Sequence, residues 1–398
     1  MKAFPAFSSR LARIALAWLA AAVLAIGCGG GGGSGTPSAT GSALTMGTIS
    51  GFGSIIVDGV RFDDSSAEVL DDDDQPHDRS ELRLGMTVEV LSDRIQAANA
   101  MAHRIRFGAD IVGPVEAIDG TARQLTVLGQ TVEVSDTTVF EDDLAGGLAA
   151  LAVGDVVEVH AQLNTANGHY LAKRIEKKAQ ANLFRLRGVV AQLDSAAKTF
   201  HIGAATISYA AIAAADLPPN FADGAAVRVR LQTTMVAGVW QAVSIRSGVR
   251  KVEDHDEARV RGVVTAFTSI ASFSVNGLSV TTGATTEFPD GTSGIVVGAA
   301  VEVEGAIRDG VLVASEVELE DRHANDDDRL NELHGLVGAL DPQAQTFVVR
   351  GVKVHYGSNT SFSRGQPADL ANGEAVEVKG RLGSDGVTLE AKQVKFEH

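Results

Sequence analysis

Hydrophobic and polar positions alternate with a period of two along most of this chain, and Gly, Asn-Gly or Asp-Gly interrupts the alternation at short intervals. That is the pattern of half-buried antiparallel strands joined by tight turns. It is clearest in residues 259–318, where Gly262-Val263-Val264 opens a run of β-branched residues. Asn276-Gly277 then separates two alternating runs at 272–275 and 278–282. Asn-Gly in that setting predicts a two-residue hairpin, because both turn residues accept positive φ. After Gly298, Val301-Glu302-Val303-Glu304 alternates again, and Asp309-Gly310 turns the chain into a final strand over 311–319.

The same landmarks recur in the same order along the chain. The opening Gly stands at Gly47, Gly113, Gly188, Gly262 and Gly335, at intervals of 66, 75, 74 and 73 residues. The hairpin Gly stands at Gly59, Gly129, Gly203, Gly277 and Gly351, and a Gly-x-x-Val-x-Val strand begins at Gly85, Gly154, Gly224, Gly298 and Gly373. This period exceeds the roughly 20–50 residues of stacked solenoid repeats. Each unit holds enough short strands to close its own sheet, which removes exposed edges. The expected fold is all-β, with five tandem small antiparallel β-barrels at 45–109, 110–178, 184–247, 258–320 and 332–398. A unit near 60 residues buries only about 60% of its unfolded surface, so contacts between neighbours are expected to contribute. Gly51 and Gly53 read as a tight bend at a barrel corner; close approach of a ligand or another backbone is the alternative. The polar joints at 248–257 and 321–331 are expected to be exposed and to be cut first by proteases.

The N-terminus breaks the pattern. Lys2, Arg10 and Arg13 precede an apolar run over 14–26, which predicts a secretory signal over residues 1–27. Leu24-Ala25-Ile26-Gly27-Cys28 resembles the lipobox of bacterial lipoproteins, with the favoured Leu one place early. Cys28, the only cysteine, is then the expected lipidation site; an ordinary cleavage site with a spare thiol is the alternative. Residues 28–44 hold this Cys and a Gly/Ser-rich tether. Gly29 after the Cys, where Asp would favour inner-membrane retention, points to the outer membrane. Removing the three leader cations takes the formal charge from −16 to −19.

That charge, with 5% aromatics, argues against nucleic acid, which needs a basic groove and stacking platforms. No catalytic motif is present: Gly-x-Ser-x-Gly, His-Glu-x-x-His, a Walker loop and zinc-spaced cysteine pairs are all missing. No cofactor is expected. The candidate chemistry lies in three acidic, His-containing runs. These hold His77 and Asp78 after Asp71-Asp72-Asp73-Asp74, then Asp254, His255 and Asp256, then His323, Asp326, Asp327 and Asp328. Carboxylates with imidazole suit a divalent metal. Such runs are also ordinary solvated spacers, and spacer is the preferred reading.

The succession of opening Gly-x-Val, Phe-x-Val-x-Gly, Val-Gly-x-x-Val-Glu-Val-x-Gly, Asp-Gly and Ala-x-x-Val resembles the bacterial domain-of-unknown-function family 5666. The resemblance covers about residue 44 to the C-terminus. It implies tandem OB-like β-barrels in an exported lipoprotein and supplies no catalytic residues. The expected role is a non-catalytic envelope scaffold or interaction protein, anchored to the membrane by its N-terminal lipid and meeting other envelope proteins or surface polymers. The alternatives are a divalent-metal-binding envelope protein and an envelope hydrolase.

Overall fold

The alternating segments fold as strands in a computed structural model that describes residues 42–320 and 330–397. The result is an all-β protein with a few short 3-10 turns. Repeat one supplies β1 (Ser42–Phe52), β2 (Ile55–Val57), β3 (Val60–Asp63), β4 (Glu68–Asp71), β5 (Thr87–Asp93) and β6 (Asn99–Phe107). β1 pairs antiparallel with β2 and β5, β2 with β3, and β5 with β6, while β3 runs parallel to β6. The pairings pass β1-β2-β3-β6-β5 and return to β1.

The circuit recurs in repeats two and four. Repeat two contains β7 (Ile111–Asp119), β8 (Gln124–Val127), β9 (Gln130–Glu133), β10 (Val139–Phe140), β11 (Val156–Asn164) and β12 (His169–Lys178). Repeat three contains β13 (Phe184–Val189), β14 (Ala191–Asp194), β15 (Thr199–Ile202), β16 (Ala205–Ser208), β17 (Ala226–Leu231) and β18 (Trp240–Ser247). Repeat four contains β19 (His255–Ser269), β20 (Ser272–Val275), β21 (Leu278–Thr281), β22 (Ala300–Arg308) and β23 (Val311–Leu319). Repeat five contains β24 (Asn331–Leu336), β25 (Gly338–Asp341), β26 (Thr346–Val349), β27 (Val352–His355), β28 (Ser361–Ser363), β29 (Ala375–Leu382) and β30 (Leu389–Phe396). In repeat four, for instance, the order is β19-β20-β21-β23-β22 and back to β19.

One landmark explains itself in backbone terms. Gly85, Gly154, Gly224, Gly298 and Gly373 all have positive φ, between 83° and 94°. Each donates its N–H to a carbonyl of the opening segment of its own repeat (Ile49, Val115, Val190, Val264 or Val337) at 2.8–2.9 Å. A side chain would strain that conformation, so Gly is the residue that turns the chain into the long strand.

The repeats do not follow one another as separate beads in chain order. β1 pairs parallel with β19 of repeat four and with β24 of repeat five, and β7 pairs with β13. β1 has 11 residues against three in β2, so its backbone extends beyond its own hairpin and offers edge to both partners. The expectation of a corner bend at Gly51 is corrected here: a Cβ at that position would run into the Glu332 carbonyl of β24. The glycine admits another backbone.

The cores merge accordingly. One apolar cluster runs through repeats two and three, from Ile111 to Ile245; a second joins repeats one and five; a third fills repeat four and takes in Leu44 of β1. Fusing cores offsets the small buried fraction of a 60-residue unit. In the 248–257 joint Lys251, Glu253, Asp254 and Asp256 are exposed, while Val252 and His255 are buried. Residues 321–329 lie outside the described residues.

Candidate functional site

Repeat three presents a cationic sheet face. Period-two spacing places Arg185 and Arg187 on one side of β13, and Arg228 and Arg230 on one side of β17. Cross-strand register sets Arg185 opposite Arg230, Arg187 opposite Arg228, and Arg228 opposite Arg246 of β18. Like charges directly opposite repel, so this face needs counter-charge.

The counter-charge comes from repeat one. Asp72 Oδ2 accepts from Arg187 Nη2 at 2.7 Å, and its backbone carbonyl accepts from Arg228 Nη1 at 2.6 Å and from Arg250. Asp73 pairs with Arg230, with Arg246 at 3.7 Å and Arg185 at 3.9 Å. Asp74 accepts from Arg106 Nη2 at 2.8 Å and Arg250 Nη1 at 3.3 Å. Burial alone would push the Asp72 carboxyl up; Arg187, Arg228 and Arg185 outweigh it and hold the group below the ordinary carboxylate range. Asp72 and Asp73 are therefore not solvated, while Asp74, Gln75, Pro76 and Asp78 stay exposed. The run is a wedge between repeats.

Of the residues singled out as metal candidates, those among the described residues are engaged by other side chains and amides. His77 Nδ1 lies 2.9 Å from Glu81 Oε2, and its ring packs edge-on to Phe107. Asp78 caps the 3-10 turn Arg79–Glu81 by accepting from the Ser80 amide at 2.7 Å. Asp254 accepts from the Asp309 amide at 2.7 Å, Asp256 from Arg308 Nη2 at 2.9 Å, and His255 Nδ1 lies 3.0 Å from Ser42 Oγ. His323, Asp326, Asp327 and Asp328 lie outside the described residues.

A different trio meets metal-ligand proximity: Glu332, His334 and Glu377 bring one ligand atom each within 4.8 Å of one another. Three cations already occupy its surroundings. Arg61 Nη2 lies 2.6 Å from Glu332 Oε1 and 2.8 Å from His334 Nε2, Lys379 sits 3.3 Å from Glu332, and Lys395 pairs with Glu377. The hydrogen bond with His334, helped by Lys379, holds the Glu332 carboxyl at about 2. Arg61 comes from β3, so this too is an inter-repeat ion-pair network. No sequence motif announces it, because its members are scattered over repeats one and five.

A second joint involves Asp58 in the first hairpin turn, whose carboxyl pairs with Arg261 of β19. Arg261 also reaches Glu302 at 2.6 Å and Glu320 at 2.8 Å. Burial, reinforced by Glu302, pushes the Asp58 carboxyl up to about 7. Between the Asp58 and Asp72 joints lies a cavity of about 140 Å³ whose walls come from repeats one to four. Its charged lining consists of Arg106, Arg187, Arg250 and Arg261 with Asp72 and Glu89.

Among known proteins, residues 112–176, 261–318 and 334–395 match the family described as "Domain of unknown function (DUF5666)". No curated protein matches the chain. A solved structure titled "drosophila Unr CSD456" is 13% identical, covering 54% of this chain and 98% of that chain with a TM-score of 0.12, too low to inform the fold. The three matched segments fall in repeats two, four and five, at the spacing of the landmark pattern: the chain carries tandem copies of the DUF5666 domain.

Proposed function

We propose that this protein is a non-catalytic, lipid-anchored envelope scaffold. Five OB-like β-barrels form one body that meets other envelope proteins or surface polymers. The strand circuit shared by repeats one, two and four, in which the first three strands lead to the last strand, then to the one before it and back to the first, supports the barrel reading. One observation carries the scaffold reading. In the acidic run with the most site-like composition, Asp72 and Asp73 are seated in the arginines of repeat three and Asp74 between Arg106 and Arg250, which supports a role in holding repeats together. The lipid anchor rests on Cys28 at the end of the apolar leader, and the outer membrane on Gly29.

The test is photo-crosslinking in the native envelope with wild type and Cys28→Ser. The expected result is a reproducible set of envelope neighbours for the wild type, its loss in the variant, and an intact mass showing acyl chains on Cys28. An unmodified Cys28 in the mature protein would remove the anchor from the proposal. Turnover of an envelope polymer by the purified protein would replace the scaffold with an enzyme.

A second reading, divalent-metal binding, is favoured by one observation, the proximity of Glu332, His334 and Glu377. Arg61, Lys379 and Lys395 weigh against it, because a divalent ion would have to enter beside three positive charges.

A further inference from the structure

In three repeats the last strand carries a short strand of the same chain along its outer edge. β4 runs parallel to β6 in repeat one, β10 to β12 in repeat two, and β28 to β30 in repeat five. Repeat four keeps the contact as a single parallel bridge, Glu287 with Glu316. Repeat three has no such strand. Among the described residues, β18 pairs with β17 on one side and with β16 on the other, and the β16 pairing ends at Gln241.

The sequence explains the gap. One backbone bond sets the repeats in register: the amides of Val134, Thr282 and Tyr356 donate to the carbonyls of Arg123, Ala271 and Gln345, as that of Tyr209 does to Lys198. Four residues on stand Thr138, Thr286 and Thr360, whose hydroxyls donate to the carbonyls of Ala172, Ala314 and Ala391 at 2.8 Å. Repeat three has Ala213 there, with no hydroxyl to offer Ala242. The covering strand would follow at once, but Ala214–Asp216 is a 3-10 turn instead. Alanine favours strand poorly, and Pro218-Pro219 has no amides to pair.

The outer edge of β18 is left with open backbone groups. In repeat four the Glu287 amide donates to the Ser315 carbonyl at 2.8 Å, and its carbonyl accepts from the Val317 amide at 3.0 Å. Asp290 accepts from the Leu319 amide at 3.1 Å, as Glu141 does from Lys177 in repeat two. The corresponding groups of repeat three are the Val243 carbonyl and the amides of Ile245 and Ser247, and none has a partner among the described residues. Val243 and Ser247 are exposed, so the edge is reached from solvent. A row of unpaired amides and carbonyls is a template for an added strand.

We infer that the outer edge of β18 takes an extended segment of another polypeptide as a parallel strand. The covering segments of the other repeats specify its chemistry: a Thr hydroxyl for the Ala242 carbonyl, then apolar residues, then a carboxylate for the Ser247 amide. Thr138-Val139-Phe140-Glu141 holds the full set, with Val139 and Phe140 buried. A second copy of this chain fits less well. A two-fold axis sets two β18 edges antiparallel, whereas β4, β10 and β28 all run parallel to the strands they cover. The inference rests on the scaffold reading for the source of the segment, an envelope protein, while the edge itself is tested without anchor or envelope.

The probe is a synthetic peptide of residues 135–142, Ser-Asp-Thr-Thr-Val-Phe-Glu-Asp, titrated into the full mature chain. Fluorescence of Trp240, which begins β18 and is the single Trp beyond the leader, follows binding. The expected result is a saturable change at one peptide per chain. In repeat two the Glu141 amide donates to the Ile175 carbonyl, whose counterpart on β18 is that of Ile245. A peptide N-methylated at that amide should bind about tenfold more weakly, the effect of one hydrogen bond. A photoreactive residue in place of Phe140 should crosslink to residues 240–247.

No saturable binding, or equal binding of the two peptides, would overturn the site. Crosslinks on residues 169–178 would do the same, since they would show exchange with the chain's own β10. A chain that is dimeric without peptide, with copies that crosslink β18 to β18, would give the edge to a second copy and overturn the inference. The envelope neighbours are read separately, by crosslinking in the native envelope.

Discussion

Arg187 donates from Nη2 to Asp72 Oδ2 at 2.7 Å, joining repeat three to repeat one across 115 positions of sequence. The same arginine lies 3.6 Å from Asp110, whose burial raises its carboxyl pKa, and its backbone carbonyl accepts from the Tyr170 hydroxyl at 2.5 Å. One cation therefore ties together repeats one, two and three, and its replacement or that of its partner is felt in all of them.

Asp72→Asn is expected to destabilise the chain by about 1–3 kcal/mol. Breaking a fully buried ion pair costs about 3–5 kcal/mol. The lower figure applies because Arg187 keeps 35% of its side chain in solvent, where screening weakens the pair. Urea unfolding measures it, with Asp136→Asn as the control. Asp136 also pairs with an arginine, Arg123, but is 91% exposed, so its loss should leave the midpoint nearly unchanged. Equal midpoints for the two variants would mean the wedge contributes nothing.

Stability is expected to peak near pH 4–5 and to fall on both sides. Glu158 is held at about 2 because His160 and Lys178 outweigh its burial, and Glu332 is held at about 2 by His334 and Lys379. Carboxyls depressed in the folded state contribute stability that is complete above the unfolded carboxyl range near 4 and is lost as pH falls through the folded values. Asp58 and Glu316 are displaced the other way, up to about 7, Asp58 by burial and Glu302, Glu316 by burial and Glu318. Their folded state binds the proton more tightly, so their contribution is present below about pH 4 and is lost as pH rises toward 7. Urea midpoints across pH 2–8 check the shape.

Glu316→Gln isolates the upper limb of that profile. Glutamine resembles the protonated carboxyl, so the variant should gain about 1 kcal/mol at pH 8, a figure reduced for solvent screening, and nothing near pH 4. A gain of the same size at both pH values would place the effect outside the titration of Glu316.

Gly51→Ala is expected to cost about 1–3 kcal/mol, because the new methyl would press on the Glu332 carbonyl and Ile56 at the β1–β24 contact. Gly120→Ala, at a turn with nothing within 4 Å of the added carbon, should be nearly neutral. Limited proteolysis gives an independent readout: the Gly51→Ala variant should release repeat five earlier than the wild type does. Unaltered cleavage and an unaltered midpoint together would show that the β1–β24 contact is dispensable.

Zinc titration of the wild type by calorimetry is expected to give no saturable micromolar isotherm. His334→Ala should instead lower the urea midpoint by removing the bridge between Glu332 and Glu397. A one-to-one isotherm abolished by His334→Ala, and unaffected when His77, His255 and His323 are all replaced by Asn, would assign a metal to the Glu332 cluster.

The strands and turns of each repeat were legible in the sequence because their causes are local. Alternation sets which side chains face inward, and Asn276-Gly277 forms a two-residue turn with both residues at positive φ. The spacing Arg185-x-Arg187 and Arg228-x-Arg230 likewise stated that each pair shares a face, and it was the available signal for the cationic sheet. What lies opposite a face is not a local property. The seat of Asp72 among arginines more than a hundred positions away, the approach of β24 to Gly51, and the meeting of Arg61 with Glu332 follow from how sheet edges and fused cores assemble. Composition made residues 71–74 look like a self-repelling, solvated run. The tertiary structure reversed that reading for Asp72 and Asp73, because opposite charge nearby makes burial of the same carboxylates favourable.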